Sequence, residues 1–386
     1  MTADPIVITG FARTPMGGLQ GVFANVTAHE LGAAAIREAV VRAGAPAIDQ
    51  TIMGCVLGAG QGQAPARQAS KGAGLGDEVP ATTINKMCGS GMQAAMLAHD
   101  MLIAGSADCI VAGGMESMTN APYLLARHRK GARFGHDAAL DSMLLDGLED
   151  AYDKGKPMGA FAEDTARSYQ ISRAEQDGYA LRSLERAKAA QASGAFDAEI
   201  AAVTVGKDII RIDEQPGRAK PEKIPTLKPA FAPDGTITAA SSASISDGAA
   251  ALVLTRESRA KSPPVARIIG HATHAQAPAL FTTAPVFAVR KLLDRIGWRT
   301  GDVDLYEINE AFAVVALVAM RELDISPDRI NVHGGACALG HPIGASGARI
   351  LATLISALKA RGLKRGVASL CIGGGEATAM AVEIAH

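Results

Sequence analysis

The sequence predicts an α/β protein that consists of two similar halves, with a separate segment inserted in the first half. Short apolar runs such as CIVAGG alternate with longer helical patterns, which indicates α/β layers around mostly parallel sheets. The order of these runs repeats in the last third of the chain. Between the two halves the sequence is more polar and less regular. These features together define the expected architecture.

The first half alternates strands and helices from its start. Its apolar, strand-like runs lie near residue 6, at 51–56 and at 109–114. Thr27 and Glu30 form a T-x-x-E capping box for a first helix, which Gly44 ends. A second apolar helix follows Cys88. This order predicts a βαβ-type half with the Cys88 segment at a helix start.

The last third repeats this order. VARIIGHA near residue 265 corresponds to IVITGFA near residue 6, and DLYEINEAF corresponds to DQTIMGCV. The helix of GASGARILATLISALKARG corresponds to that of GSGMQAAMLAHDMLIAG. The similarity is faint, so a chance match of order is the alternative, but we interpret it as a duplicated unit. The predicted divisions are residues 1–116 with 246–263, an inserted segment 117–245, and residues 264–386.

Composition limits the class of function. The chain has 386 residues, of which 48% are apolar and 20% charged, and its net charge is −1. Mixed charge of this kind gives no support to nucleic-acid or membrane-surface binding. The five cysteines are scattered without a CxxC pair, so we expect no metal site and a reducing compartment. The chain shows no signal peptide or membrane span, and we expect it in the cytoplasm.

Cys88 lies in NKMCGSGMQA, directly before an apolar helix. A thiol at a helix N-terminus experiences the positive end of the helix dipole, which can lower its pKa to roughly 3.5–7.5. Gly89 and Gly91 leave room for a ligand beside the backbone. We therefore expect Cys88 to be a thiolate nucleophile, with an ordinary buried cysteine as the alternative.

His341 occupies the equivalent place in the second half. It lies in GGACALGHPIGASG, ahead of the corresponding helix. If the halves pack with pseudo-twofold symmetry, the two helix starts meet, and His341 can serve as the base that a nucleophilic thiol needs. A structural or exposed histidine is the alternative.

Two further segments carry polar or reactive groups at strand ends. Cys371 ends an apolar strand and runs into three glycines, the place where open α/β sheets contact ligands. A second thiol suits proton transfer to and from carbon. Asn309 and Glu310 interrupt an apolar junction, so partners must satisfy them unless Asn309 is a helix cap.

The segments NKMCGSGMQA, NEAFA, GGACALGHPIGASG and CIGGGEA, in this order and spacing, resemble the four signature segments of the thiolase family of acyl-CoA C-acyltransferases. The resemblance extends over essentially the whole chain, including FARTP and SDGAAALVL. It implies a five-layer αβαβα core of two duplicated halves, with an inserted loop domain that holds coenzyme A.

The resemblance also implies catalytic roles. Cys88 would be acylated, His341 would activate it, and Cys371 would be the acid and base at carbon. Asn309 would hold a water that forms one oxyanion hole with His341. The backbone amides of Cys88 and Gly373 would form the other.

Coenzyme A would be a substrate rather than a tightly bound cofactor. The residues that fall at family positions for its contacts are Met158, Arg218, Phe231, Ser242, Ser244, Ala311 and Phe312. Two departures stand out: Ala243 replaces an expected serine, and Pro157 replaces a histidine found in some biosynthetic members. Phe281 falls where the family walls the acyl pocket, and its bulk favours short acyl chains.

The implied function is reversible Claisen condensation and thiolysis through an acyl-cysteine, most simply on acetyl-CoA, acetoacetyl-CoA and short 3-ketoacyl-CoAs. A broader or longer-chain degradative thiolase is the alternative. A ketosynthase and a noncatalytic acyl-CoA-binding protein are more distant, because the chain keeps Cys88, His341 and Cys371. We expect a homodimer or homotetramer.

Overall fold

The structure is a computed structural model of the chain and describes residues 4–385. The first half begins with β1 and α1, and α1 has the predicted capping box of Thr27 and Glu30. Its elements are β1 (Ile6–Arg13), β2 (Gly17–Gly18), α1 (Ala28–Arg42), β3 (Gln50–Gly54), α2 (Pro65–Gly72), β4 (Ala81–Ile84), α3 (Ser90–Ala104) and β5 (Cys109–Ser117). The strand predicted at 51–56 therefore ends two residues early, at Gly54.

The middle of the chain contains short strands and three helices. These are β6 (Tyr123–Leu124), β7 (Leu140–Asp141), α4 (Met158–Ser168), α5 (Arg173–Ala192), β8 (Val203–Val205), β9 (Asp208–Ile210) and α6 (Glu214–Arg218). A π-helical turn spans Leu144–Leu148. The helices α4 and α5 pack against the second half, so this segment covers one side of the molecule.

The chain then completes the first sheet and builds the second half. Its elements are β10 (Ser246–Arg256), β11 (Ala266–Ala275), α7 (Ala284–Ile296), β12 (Leu305–Ile308), α8 (Ala313–Leu323), α9 (Ala336–Leu339), α10 (Ser346–Ala360), β13 (Arg365–Ile372) and β14 (Glu376–Ile384). The helix α7 has Pro285 in its first turn and ends at Gly297, whose φ is in the left-handed region.

The two sheets have matching strand orders. The first runs β4-β3-β5-β10-β1 and the second runs β11-β14-β13-β12, with a short β1–β11 pairing between them. Thus β1, β10, β5 and β3 correspond to β11, β14, β13 and β12, which confirms the duplication. The prediction of mostly parallel sheets is wrong, because β10, β14 and their neighbours pair antiparallel. The apolar runs are equally buried in a mixed sheet, so their composition does not reveal strand direction.

The order of the layers can be read from which helices pack against each face of a strand. In β5, Val111 packs in the outer layer with α1, whereas Ile110 and Ala112 pack with α3 and α10. In β13, Val367 packs with α7 and α8, whereas Ala368 packs with α3 and α10. The order is therefore α1/α2, first sheet, α3/α10, second sheet, α7/α8. The five-layer αβαβα prediction is confirmed.

The starts of α3 and α10 touch in the central layer. A Cβ on Gly91 would lie 2.8 Å from the Ala348 nitrogen, and one on Gly347 would lie 2.3 Å from the Met92 nitrogen. Only glycine permits this approach, because real Cβ atoms do not come so close to a backbone. The predicted meeting of the two helix starts is confirmed, and it brings the Cys88 and His341 loops to one place.

Within residues 4–385, no helix combines the length and the apolar character needed to cross a bilayer.

Candidate active site

A cavity of about 270 Å³ lies where three loops meet: the loop before α3, the loop before α10, and the turn between β13 and β14. The π-helical turn and the residues after it, up to Tyr152, form its outer wall. Nine residues singled out from the sequence line this cavity: Cys88, Met158, Ala243, Phe281, Ala311, Phe312, His341, Cys371 and Gly373.

A tight turn presents Cys88 to the cavity. The preceding Met87 has φ of 47°, in the left-handed region, and Gly89 is the N-cap of α3. The Ser90 hydroxyl donates to the Met87 carbonyl at 2.6 Å and accepts from the Lys86 N–H at 2.8 Å. A non-glycine residue in this conformation is strained, and such strain often accompanies reactive groups. Ser90 therefore holds the strained turn in place.

The Cys88 thiol is not the preformed thiolate that its place in the sequence predicts. Burial raises the pKa of Cys88 to about 11. The backbone N–H groups of Gly373 and of Cys88 itself lower this pKa, but burial outweighs them. The α3 N-terminus adds little, because the Gly89 and Ser90 N–H groups already donate to carbonyls of the preceding turn at 3.0 Å. The thiol therefore depends on a base.

His341 has the protonation state that such a base requires. Its Nδ1 lies 2.5 Å from the Ser346 hydroxyl, which donates to the Pro342 carbonyl at 3.0 Å. The hydroxyl must then accept from Nδ1–H, which leaves Nε2 unprotonated. Nε2 has no hydrogen-bond partner among residues 4–385. Burial, aided by the positive charge of Arg349, lowers the pKa of His341 to about 3, so the imidazole is neutral and can accept a proton.

Cys371 and Gly373 form the third side of the cavity. Cys371 is 1% exposed, and burial raises the pKa of its thiol well above the ordinary value, with the charge of Cys88 acting in the same direction. It is therefore a neutral thiol that can give up a proton. The turn that follows needs glycine at Gly374 and Gly375, whose φ angles are 91° and 87°. This turn aims the Gly373 N–H toward the Cys88 sulfur.

Asn309 and Glu310 lie behind the cavity wall, at the start of α8. The Glu310 carboxylate accepts from four donors: Tyr179, Ser183, Asn331 and the Cys337 N–H. The Asn309 Oδ1 accepts from Arg349 at 3.4 Å, and its Nδ2 has no partner in the described chain. The alternative of a helix cap does not hold, because the N-cap of α8 is Phe312.

Two family models match the chain almost end to end. The thiolase N-terminal domain matches residues 6–258 and the thiolase C-terminal domain matches residues 262–384. This chain belongs to the thiolase family. An acetyl-CoA acetyltransferase of Arabidopsis thaliana is 48% identical to it, over 98% of this chain and 97% of the plant protein.

Solved structures of other thiolases have the same fold. A thiolase of Ascaris suum in complex with coenzyme A matches with a TM-score of 0.94 at 40% identity, over 98% of this chain and 100% of that one. The acetyl-CoA acetyltransferase of Bacillus anthracis matches with a TM-score of 0.95 at 40% identity, over 99% of both chains.

In this thiolase the residues at the predicted coenzyme A positions divide between the cavity wall and its support. Met158, Ala311 and Phe312 line the wall. The Phe231 ring lies behind it, with its centroid 5.8 Å from that of Phe312, and the Phe281 centroid is 6.5 Å from Phe312 on the cavity side. Phe231 therefore supports Phe312.

Polar groups of Ser242 and Ser244 form hydrogen bonds with other residues of the chain. The Ser242 hydroxyl donates to the Thr238 carbonyl at 2.8 Å, and the Ser244 carbonyl accepts from the His341 N–H at 3.1 Å. Between them, Ala243 lines the cavity, at the position where the resemblance leads us to expect a serine. The two serines lie outside the wall formed by the described residues.

Arg218 ends α6 on the surface. Its guanidinium donates to Glu214 at 2.7 Å, and 62% of its side chain is exposed. It lies outside the described wall of the cavity and remains open to a ligand in solution.

Sequence reasoning missed Glu116, which joins two walls of the cavity. Its buried carboxylate accepts from the N–H groups of Val56 and Leu57 at 3.0 and 3.1 Å, and from that of Gly344 at 2.9 Å. Burial raises the pKa of Glu116 to about 7, although these N–H groups lower it. An acidic residue at the end of the apolar run CIVAGGM is the signal that could have revealed it.

Ser346 was also missed, although it orients His341. The repeated S-G pair, at Ser90–Gly91 and again at Ser346–Gly347, is the signal in the sequence. Each serine is bonded to the loop that carries a cavity residue.

Proposed function

We propose that this thiolase is an acetyl-CoA C-acetyltransferase, which condenses two acetyl-CoA molecules to acetoacetyl-CoA and cleaves acetoacetyl-CoA and short 3-ketoacyl-CoAs with coenzyme A. One observation carries the proposal: two thiols, Cys88 and Cys371, share a buried cavity with an imidazole whose Nε2 is unprotonated. The family relationship and the names of the relatives support the same conclusion.

In the first step Cys88 accepts an acetyl group. Its sulfur attacks the thioester carbonyl of acetyl-CoA while His341 Nε2 takes the thiol proton. The oxygen of the tetrahedral intermediate accepts hydrogen bonds from the Cys88 and Gly373 N–H groups. As the carbon–sulfur bond to coenzyme A breaks, the imidazolium returns the proton to the departing thiolate.

In the second step the carbon–carbon bond forms. His341, neutral again after the first step, takes the thiol proton of Cys371 in the shared cavity. The Cys371 thiolate removes a proton from the methyl group of a second acetyl-CoA, and the resulting enolate attacks the acetyl carbon on Cys88. The sulfur of Cys88 then leaves as a thiolate and regains its proton from the His341 imidazolium as acetoacetyl-CoA forms. In thiolysis Cys371 instead protonates the carbanion of the departing acetyl-CoA.

The enolate oxygen requires a second set of donors. We assign these to His341 and to a water held by Asn309, whose Nδ2 is buried and lacks a partner in the described chain. Asn309 lies behind the wall, so its amide acts on the substrate through that water. The Arg349 guanidinium can only donate hydrogen bonds, so it faces the Asn309 Oδ1. The Asn309 Nδ2 therefore points away from Arg349.

Coenzyme A is then a substrate, with no tightly bound cofactor in the reaction. We assign the pantetheine chain to the apolar wall of Met158, Ala311 and Phe312, which Phe231 supports. The exposed Arg218 is the candidate contact for a phosphate of the nucleotide end. Ser242 and Ser244 shape this wall through their internal hydrogen bonds.

A broader or longer-chain degradative thiolase is the second candidate. Pro157, which is the N-cap of α4, favours it, because some degradative members have proline there. Phe281 favours the short-chain function, since its ring is 3% exposed and closes one side of the cavity. We retain the short-chain assignment because Phe281 lines the same cavity as Cys88, the residue that would carry the acyl group.

Assembly, compartment and domain limits are further proposals. The edge strand β4 pairs only with β3 among the described residues, which supports association through this edge in a homodimer or homotetramer. We assign the enzyme to the cytoplasm, although relatives carry names of both cytosolic and mitochondrial enzymes. We retain three divisions of the chain. Residues 1–116 and 246–263 form the N-terminal half, residues 117–245 form the coenzyme A-binding insertion, and residues 264–386 form the C-terminal half.

Two single substitutions test the division of labour between the thiols. Cys88→Ala should abolish exchange of labelled coenzyme A into acetyl-CoA, because no acyl-enzyme forms. Cys371→Ala should retain that exchange but lower thiolysis of acetoacetyl-CoA by about a thousandfold or more. Both rates are measured on the same purified preparations.

The matched control is Cys109→Ala, since Cys109 is buried on the outer face of the first sheet. It should keep both activities. Equal residual exchange in Cys88→Ala and Cys371→Ala would contradict the mechanism, and absence of both activities in the unaltered protein would favour a noncatalytic acyl-CoA-binding role.

A further inference from the structure

Three side chains that commonly bind metals converge outside the active-site cavity. His99 and Asp100 belong to α3, and His271 belongs to β11. The Asp100 Oδ1 lies 3.0 Å from His99 Nδ1 and 2.8 Å from His271 Nε2, and all three atoms lie within 4.8 Å of one another. The two imidazole rings are nearly perpendicular, with centroids 5.0 Å apart.

We propose that His99, Asp100 and His271 form a binding site for a divalent transition-metal ion of the zinc class. Two imidazoles and one carboxylate are a common protein ligand set for zinc, with a fourth position left to water. Tetrahedral coordination at about 2.0–2.2 Å requires ligand atoms roughly 3.4 Å apart. The observed separations of 2.8 and 3.0 Å need to widen slightly, and the two ring nitrogens, which lie within 4.8 Å of each other, need to settle at the same spacing.

The environment of the three residues suits this role. The imidazoles of His99 and His271 are only 12% and 13% exposed, so packing already holds them in position. Asp100 is 58% exposed, which leaves access for the ion and for a water ligand.

Without the ion, the ring nitrogens of His99 and His271 that face Asp100 are hydrogen-bonded to the shared Oδ1. With the ion, the lone pairs of these nitrogens and of Oδ1 would point to the metal instead. The Asp100 carboxylate would offset one of the two positive charges of the ion.

The location indicates a structural role. His99 lies nine residues beyond Ser90 in α3, or roughly 14 Å along the helix axis. The ion would lie far from the reacting atoms and would tie the central layer to the second sheet. It would therefore stabilise the packing of the two halves, because it binds the folded chain and not the unfolded one.

The test uses the full-length protein after a chelator has removed bound metal. Titration with Zn²⁺ is measured by calorimetry, and titration with Co²⁺ is measured by visible absorption. We expect one ion per chain, a tetrahedral Co²⁺ spectrum and a rise in Tm. His271→Gln and Asp100→Asn should each weaken binding by at least the roughly 10- to 100-fold that loss of an outer-shell partner costs.

The control is His274→Gln, on the same strand, whose imidazole stacks on Phe287 instead. It should bind the ion as the unaltered protein does. The proposal would be overturned if the unaltered protein bound no ion at one per chain, or if both cluster variants bound the ion as tightly as the unaltered protein does. Binding that is lost in Cys88→Ala would assign the ion to the active-site thiol and would also overturn it. Asp100 is largely exposed, so we expect Asp100→Asn to fold. This variant therefore tests the proposal even if His271→Gln does not fold.

Discussion

At the scale of single residues, proton states decide how the active site works. Cys88, with a pKa raised to about 11, and His341, with a pKa lowered to about 3, are both neutral in the free enzyme. Proton transfer between them is unfavourable until the negative charge moves from sulfur to the substrate oxygen. The Cys88 and Gly373 N–H groups stabilise that charge, so attack and proton transfer proceed together. A free thiol that stays protonated is also less open to oxidation.

Phe281 sets the length of the acyl group in our proposal. The unaltered enzyme should cleave acetoacetyl-CoA best and longer 3-ketoacyl-CoAs progressively less well. Phe281→Leu should raise kcat/KM for the next longer homologues, relative to acetoacetyl-CoA, by about 10-fold, because a methylene in such a pocket is worth roughly 1–3 kcal/mol. The measurement is coenzyme A-dependent thiolysis across a series of chain lengths.

Phe196→Leu is the matched control for this change. Phe196 is 4% exposed and packs with α5 residues in a separate cluster. The Phe196→Leu variant should lose about as much stability as Phe281→Leu does, but its preference for acyl-chain length should not change. A preference of the unaltered enzyme for long chains would contradict the short-chain assignment and favour the degradative alternative.

At the scale of secondary-structure elements, the contact between α3 and α10 places the two reactive loops together. Gly91 and Gly347 occupy equivalent positions in the duplicated helices and face each other's backbones. The serines before them, Ser90 and Ser346, bond the loops that carry Cys88 and His341. A change in helix spacing here therefore moves both reactive groups.

Gly347→Ala tests this contact. The added Cβ would lie 2.3 Å from the Met92 nitrogen, so one helix must shift. We expect a loss of about 1–3 kcal/mol in the free energy of unfolding, measured with urea, together with lower activity.

Gly178→Ala is its control, in the interior of α5, where no atom lies within 4 Å of an added Cβ. That variant should gain about 0.4–1 kcal/mol, because alanine restricts the unfolded chain. Equal stabilities of the two variants would show that the helix starts tolerate separation.

At the scale of the whole molecule, buried ionisable side chains connect the middle of the chain to the first half, and another pair links α10 to β12 within the second half. Arg13 of β1 pairs with Glu199 at 2.5 Å and with Asp213 at 2.7 Å, both in the inserted segment. Arg349 of α10 lies 3.8 Å from Glu307 of β12. All five side chains are buried. Removing one partner would leave another charge buried without compensation.

The raised pKa of Glu307 makes the free energy of unfolding depend on pH. Burial raises its pKa from 4.5 to about 8, because Arg349 compensates only in part. The folded state therefore binds more protons than the unfolded state between these values, and this contribution to stability falls as the pH rises through that window. Glu307→Gln should make the free energy of unfolding less dependent on pH between about 5 and 8.

The measurement is urea unfolding at several pH values for both proteins. The difference between the two slopes isolates Glu307, because the raised pKa of Glu116 and the lowered pKa of His341 act with opposite signs but equally in both proteins. Identical slopes in the two proteins would contradict the assignment of a protonated Glu307 to the folded state.

Local chemistry alone determined a large part of this protein. Capping boxes at Thr27 and Ser172 mark helix starts, and both occur in the structure. The duplication and the meeting of the Cys88 and His341 helix starts were predicted from residue types and turn signals within a few positions. The five layers and the place of Cys371 beside them were implied by the resemblance to the thiolase family. The family resemblance rests on the same short segments.

The tertiary structure alone decided the rest, since it depends on contacts between residues far apart in the chain. Strand direction follows from which distant strands pair, and the raised pKa of Cys88 and the position of Asn309 behind the wall follow from burial. A local pattern contains neither kind of information. Glu116 meets Gly344, and Asp100 meets His271, across separations of 228 and 171 residues. Such partners appear only when the two halves pack together.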